Sequence, residues 1–83
     1  MYYYVLVEIP RRKQFIERLI KKGFYISGHF NRKDVEEWGL PIIVDFDYNQ
    51  IRILNVTCSI WARAKGMLRT EEEFWKLIGD DTQ

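Results

Sequence analysis

The sequence predicts a small α+β domain: a mostly antiparallel sheet of about four strands, with two helices and a short third one packed on one face, in the order β-α-β-(α)-β-β-α. Three observations carry this. Its 83 residues suffice for one domain and too few for a barrel or solenoid. Hydrophobic residues make up 47% of the chain and aromatics 16%, which is far from a disordered composition. Segments of strand-type residues alternate with segments whose apolar residues recur every three to four positions, and no repeat or linker interrupts residues 1–83.

The first element is a strand, Tyr2 to Ile9, rich in Tyr and Val and stopped by Pro10. Both of its faces are apolar, so it is central in the sheet or offers a face to a partner. Arg11 to Lys22 follows as a helix, with Phe15/Leu19 and Ile16/Ile20 as i,i+4 pairs. Pro10 suits its first turn, and Gly23 suits the left-handed residue after its end. Phe24 to Gly28 reads as a short strand, and Asn31 caps a short helix from Arg32 to Trp38 closed by Gly39. Pro41 to Tyr48 alternates, with Ile42, Val44, Phe46 and Tyr48 on the core side and Ile43, Asp45 and Asp47 opposite. Asn49-Gln50 predicts a tight hairpin into Ile51 to Val56, since Asn tolerates positive φ. Cys58 to Arg69 has no clean period and predicts a long loop, with room for a turn of helix or a strand extension around Trp61. Thr70 and Glu73 form a capping-box signature ahead of a last helix with Phe74, Leu77 and Ile78 as its stripe and Gly79 as its end.

Composition excludes several classes of chemistry. The lone Cys58 permits no internal disulfide and no Cys-cluster zinc site, and the lone His29 argues against a His-based metal site or a Ser-His-Asp triad. Neither a metal nor a cofactor is expected. No apolar run approaches the roughly 20 residues of a membrane span. The first residues lack the pattern of a secretory signal, which predicts a cytoplasmic protein with no membrane partner. The net charge of +1 hides a segregated pattern. Residues 10–23 hold Arg11, Arg12, Lys13, Arg18, Lys21 and Lys22 against Glu17. Residues 70–83 hold Glu71, Glu72, Glu73, Asp80 and Asp81 against Lys76. A multipole of this kind speaks against a dedicated nucleic-acid binder, which carries more uncompensated positive charge.

Four places could carry function. The basic first helix, above all Arg11, Arg12 and Lys13, could meet phosphates or an acidic protein, or could be a solvated outer face. Asp45 and Asp47 share a strand face in the manner of a weak Mg²⁺ or acid–base pair, or of charges that discourage edge pairing. His29, at a strand end, is a candidate general base or a polar turn residue. Trp61 lies among small and basic residues with Arg63 and Lys65 close behind, a mixture suited to a protein hot spot, to base stacking, or to a plug beneath a loop. Trp38 reads as a lid over one end of the sheet, Trp75 as a flank of the last helix, and Cys58 as a small buried group. Tyr2, Tyr4 and Leu6 lie on the strand face the helices need not cover, which predicts a homodimer unless the Cys58–Arg69 segment covers them within one chain.

The run Phe15-Ile-Glu-Arg-Leu-Ile-Lys-Lys-Gly-Phe-Tyr-Ile-Ser-Gly-His29, followed by Gly39-Leu-Pro-Ile-Ile-Val-Asp-Phe-Asp47, Gln50-Ile-Arg-Ile-Leu54 and Thr70-Glu-Glu-Glu-Phe74, resembles in layout the small accessory proteins of tailed bacteriophages. The resemblance implies a role in disabling a host enzyme or defence protein by direct binding, or in sequestering a nucleotide signal, within the host cytoplasm. The first half also has a distant similarity to mRNA interferase toxins with a double-stranded-RNA-binding fold, which implies a catalytic role for His29. Such toxins lack the long first strand and carry a basic sheet where this chain has Asp45 and Asp47.

The expected function is therefore a non-enzymatic protein that binds and inhibits or redirects a host protein. Trp61, Arg63, Lys65, Arg11, Arg12, Lys13, Tyr2 and Tyr4 are its expected contact residues. A nucleotide sponge built as a homo-oligomer and a ribonuclease toxin using His29 are the alternatives.

Overall fold

The structure, a computed structural model, describes residues 1–80; Asp81, the last acid of the C-terminal charge run, lies outside them. The fold is the expected α+β class, with nine elements. These are β1 (Tyr2–Leu6), α1 (Ile9–Lys21), β2 (Tyr25–Ile26), α2 (Arg32–Glu37), β3 (Ile42–Asp45), β4 (Gln50–Ile53), α3 (Val56–Ala64), β5 (Leu68–Thr70) and α4 (Glu71–Leu77). The five strands form one sheet in the order β2-β4-β3-β1-β5.

The sheet is mixed rather than mostly antiparallel. β3 runs antiparallel to both β1 and β4, while β1 pairs parallel with β5 and β2 pairs parallel with β4. Four strands therefore share one direction, and parallel neighbours need long crossovers rather than hairpins. The crossover through α1 leads from β1 toward the β2 edge, and that through α3 leads from β4 toward the β5 edge. They travel in opposite directions along the sheet. Crossovers of a single hand must then lie on opposite faces, which puts α3 alone on the second face.

The first face holds the main core. Val5, Ile42, Val44 and Ile51 lie under Phe15, Ile16 and Leu19 of α1, Val35 of α2 and Phe74 of α4, all of them out of contact with water. Phe74 is the hub: its ring centroid lies 5.6 Å from Phe15, 5.7 Å from Tyr3, 4.9 Å from Trp75 and 6.3 Å from Phe46. Edge-on and tilted pairs of this kind place positive ring edges against negative faces. Helix α4 is fixed by the expected capping box: the Glu73 amide donates to the Thr70 hydroxyl at 3.1 Å and the Thr70 amide to Glu73 Oε1 at 2.9 Å. Gly23, after α1, adopts φ 101°, as its place beyond a helix end requires.

Three expectations are corrected. The segment from Cys58 to Arg69 is helix and strand rather than loop: Asn55 caps α3 by accepting from the Cys58 amide at 2.7 Å, and β5 extends the sheet beside β1. Tyr48 does not join the core. β3 ends at Asp45, the next four residues turn, and Tyr48 is 70% exposed. Asn49 does take the positive φ expected of it, 54°. Arg12, read as part of the charged outer face, is fully buried. It lies on the same helical face as Phe15, Ile16 and Leu19, and its guanidinium donates to the carbonyls of Val7 (2.9 Å), Val35 (3.2 Å) and Leu40. The residue therefore joins the turn before α1 to the end of α2, and burial lowers its pKa from the usual arginine value.

Candidate functional site

The second face of the sheet is built on a smaller scale. Ile43 from β3, Leu54 just after β4 and Ala62 from α3 make its buried cluster, with Tyr4, Met67 and Leu68 packed around them. Small inward residues let α3 lie close, so a nine-residue helix attaches through a modest apolar area. Its larger apolar residues point away from the sheet. Val56 is 60% exposed, Ile60 67% and Trp61 50%. Positions 56, 60 and 64 fall on one stripe of the helix, with Trp61 on one flank and Arg63 on the other. A surface helix ordinarily turns such a stripe inward; here it faces water, and Arg63 and Lys65 stand exposed at its end.

Beyond α3 part of the sheet is uncovered. The register aligns Tyr25, Gln50, Asp45 and Tyr2 across four strands, and Arg52, Ile43, Tyr4 and Leu68 two residues further along. Tyr2 and Tyr25 are half exposed, and the Tyr2 and Tyr4 rings are 5.2 Å apart. The Tyr4 hydroxyl is pushed up to about 12 first by the neighbouring Tyr2 hydroxyl and then by burial. It is a neutral hydroxyl at physiological pH, a hydrogen-bonding group rather than a base. Cys58 itself is exposed rather than buried.

The acids on this face are occupied. Asp45, nearly buried, accepts from Arg52 Nη2 at 2.9 Å and from the amides of Asp47 and Tyr48 in the turn. Asp47 takes the N-terminal ammonium at 2.6 Å. The two carboxylates thus serve the hairpin, each with its own partner, rather than converging as a metal pair. Among the described residues, no three His, Cys, Asp or Glu side chains gather as metal ligands. His29 stands exposed in the turn after β2, the edge strand opposite β5, with no hydrogen bond to orient it among the described residues.

The predicted contact residues separate into two groups. Trp61, Arg63, Lys65, Tyr2 and Tyr4 come together on the α3 side of the sheet. Arg11, Arg12 and Lys13 belong to α1, on the other side. Arg11 is engaged with Glu71 at 3.0 Å and Arg12 is internal, which leaves Lys13 exposed there. Sequence reasoning missed Val56 and Ile60, the centre of the exposed stripe. Their signal is the spacing of 56, 60 and 64 behind the Asn55 cap, which is hidden when Val56 is taken as the end of a strand and the residues after it as a loop.

Charge is also uneven along the sequence, although Arg69, aligned with Val5, belongs to the α1 and α4 side of the sheet. No acidic residue occurs between Asp47 and Glu71, a stretch holding Arg52, Arg63, Lys65 and Arg69. The rest of the chain carries all 12 acids and the remaining 9 of the 13 Lys and Arg. The net +1 is therefore the sum of a basic α3–β5 segment and an acidic remainder. No described helix is long and apolar enough to cross a membrane. Comparison of the chain with protein-family models, curated proteins and solved structures finds no match.

Proposed function

We propose that this chain is a non-enzymatic binding domain that inhibits or redirects a partner protein, in the manner of a bacteriophage host-takeover or counter-defence factor, and that α3 is its contact helix. The observation that carries the reading is the outward stripe of Val56, Ile60 and Trp61 on a helix whose inward residues are small. Exposing such a stripe is unfavourable in the isolated domain, and seating it in an apolar groove of a partner removes it from water at about 25 cal/mol per Å². A helix laid in a groove through anchors at i, i+4 and i+5 is a recurring mode of protein recognition. Trp61 and Arg63 are of the residue types that dominate hot spots.

The test is retention of a bacterial host protein by the immobilised chain, compared among wild type, Trp61→Ala and Ile60→Asp, with far-UV circular dichroism to confirm that all three are folded. A partner held by wild type and released by both variants is the expected result. Retention that ignores both substitutions moves the contact elsewhere, and no retained protein removes the reading. Trp61 with Arg63 and Lys65 also forms an exposed ring beside cations, as a nucleotide sponge requires. Calorimetry against signalling nucleotides, with the mass in solution measured by light scattering, distinguishes the two: heat from an oligomer favours the sponge.

A further inference from the structure

A cleft of about 880 Å³ opens beside the β5 edge, and it is continuous with the α3 face because Arg63 belongs to both. Its lining divides by charge. On the α1 and α4 wall the cations are engaged: Arg11 with Glu71, and Arg18 with Asp80 while its guanidinium lies 3.7 Å from the centroid of the Trp75 ring. On the α3 and β5 wall, Arg63 and Arg69 have no ion pair among the described residues. The topology sets the direction of this difference. Arg63 and Gly66 precede β5, whereas Glu8 follows β1 and Glu72 follows β5. Since β1 and β5 are parallel, both Glu residues lie toward the far end of the strand from Arg63. The cleft is positive where β5 begins and negative beyond where it ends. β5 is also an edge strand, with β1 as its one neighbour in the sheet. The amides of Gly66 and Met67 are taken by the carbonyls of Arg63 and Ala62 and that of Thr70 by Glu73, so backbone pairing along this edge is confined to Leu68 and Arg69.

We infer that this cleft takes an extended acidic segment of the partner protein, laid along β5 with its carboxylates on Arg63 and Arg69, next to the apolar anchor seated by α3. The inference rests on the protein-binding reading and assigns the partner's chemistry: an apolar groove for α3, continued by a strand-like stretch bearing Asp or Glu. The basic α3–β5 segment supplies the charge complementarity, and the Glu8 and Glu72 end disfavours acids that run further. Strand addition at an edge takes affinity from main-chain bonds and specificity from alternate side chains, here the acidic ones.

Two acetylated and amidated peptides, Glu-Glu-Val-Thr-Val and Val-Thr-Val-Glu-Glu, serve as probes for the two strand directions, and their Gln counterparts as controls. The readout is backbone amide shifts of the ¹⁵N-labelled chain. The expected result is saturable shifts from Gly66 to Thr70 with at least one Glu peptide, weakened at least fivefold in the Gln peptides and in an Arg63→Gln/Arg69→Gln variant whose spectrum is otherwise unchanged. A fivefold loss corresponds to about 1 kcal/mol. Absence of saturable shifts at β5 with every peptide, or equal shifts from Glu and Gln peptides, overturns the inference. Trp61→Ala should leave peptide binding intact while releasing the protein partner. A partner that needs Trp61 but is indifferent to the Arg63→Gln/Arg69→Gln variant leaves the α3 reading standing and removes the cleft from it. Vesicles of anionic phospholipid that shift α3 amides, with no peptide response at β5, overturn both in favour of a membrane surface.

Discussion

The two faces of the sheet use the same residue types in opposite ways. On the α1 face, Phe15, Phe74 and Trp75 interlock with the strands, and even a charged side chain, Arg12, is drawn inside and given three carbonyls. On the α3 face, the helix touches the sheet through Ala62 and its small neighbours, and Val56, Ile60 and Trp61 are turned to water. A domain of this size has total stability of about 4 to 12 kcal/mol. Most of the buried apolar residues lie on the α1 face, while the α3 face displays apolar surface.

Substitutions should divide along that line, and the largest effect belongs to the hub. Phe74→Ala removes a ring shared among Tyr3, Phe15, Phe46 and Trp75 and should cost about 3–5 kcal/mol, enough to leave much of the chain unfolded in a urea titration. Arg12→Met keeps the length of the side chain but leaves the carbonyls of Val7, Val35 and Leu40 without their donor; a loss of about 2–4 kcal/mol is expected in the same measurement. A stable Arg12→Met protein would mean that the α1 face tolerates what the packing says it cannot. Thr70→Ala removes the cap of α4 and should cost about 1 kcal/mol, or roughly 4–8 °C in Tm. The smallest effect is expected from Ile60→Gln, on the other face, within about 0.5 kcal/mol of wild type by thermal unfolding. If Ile60→Gln proved as damaging as Thr70→Ala, α3 would be part of the stability core and the comparison would fail.

The comparison can also be sharpened by pH. Tyr4, on the α3 face, has its hydroxyl pushed up to about 12 in the folded chain, above the ordinary tyrosine value near 10. A raised folded pKa means the native state holds its proton longer, so this contribution is intact below pH 10 and is lost as pH rises toward 12. Ultraviolet titration should show one late tyrosine, and Tyr2→Phe should bring it earlier by removing the neighbouring hydroxyl that raises it most. On the α1 face the sign reverses. Asp80 is held below the usual carboxylate range by Lys22 at 2.7 Å and by Arg18, so its contribution is present at neutral pH and fades as pH falls through that range.

How legible this arrangement is in the sequence follows the same division. α1, its Pro10 start and its Gly23 end are written in local signals, as are the Asn49 turn and the Thr70 capping box. Those elements pack by the ordinary rule of apolar side inward. The α3 helix breaks the rule: Ser59 and Ala62 are too small to register as a core stripe, while Val56, Ile60 and Trp61 make a stripe on the outside. β5 is three residues long and pairs parallel with β1, a partnership no local pattern reveals. Arg12 was legible in principle, since the spacing of 12, 15, 16 and 19 marks one helical face, but charge masked it. Of the residues expected to make contact, Tyr2, Tyr4, Trp61, Arg63 and Lys65 share the α3 side, while Arg11, Arg12 and Lys13 lie on α1. Tyr2 and Trp61 are half exposed on the α3 side, whereas Tyr4 packs against the small cluster of Ile43, Leu54 and Ala62.

The pairing of β1 with β5 has a consequence for when the contact face comes into existence. Tyr4 and Leu68 are aligned neighbours across the sheet yet stand near opposite ends of the chain. A long loop must close before their pairing contributes any stability, so this part of the sheet is expected to form late in folding. During synthesis the first strand emerges early and must wait for the last one to leave the ribosome. The α3–β5 surface is thus assembled only once strands distant in sequence have paired.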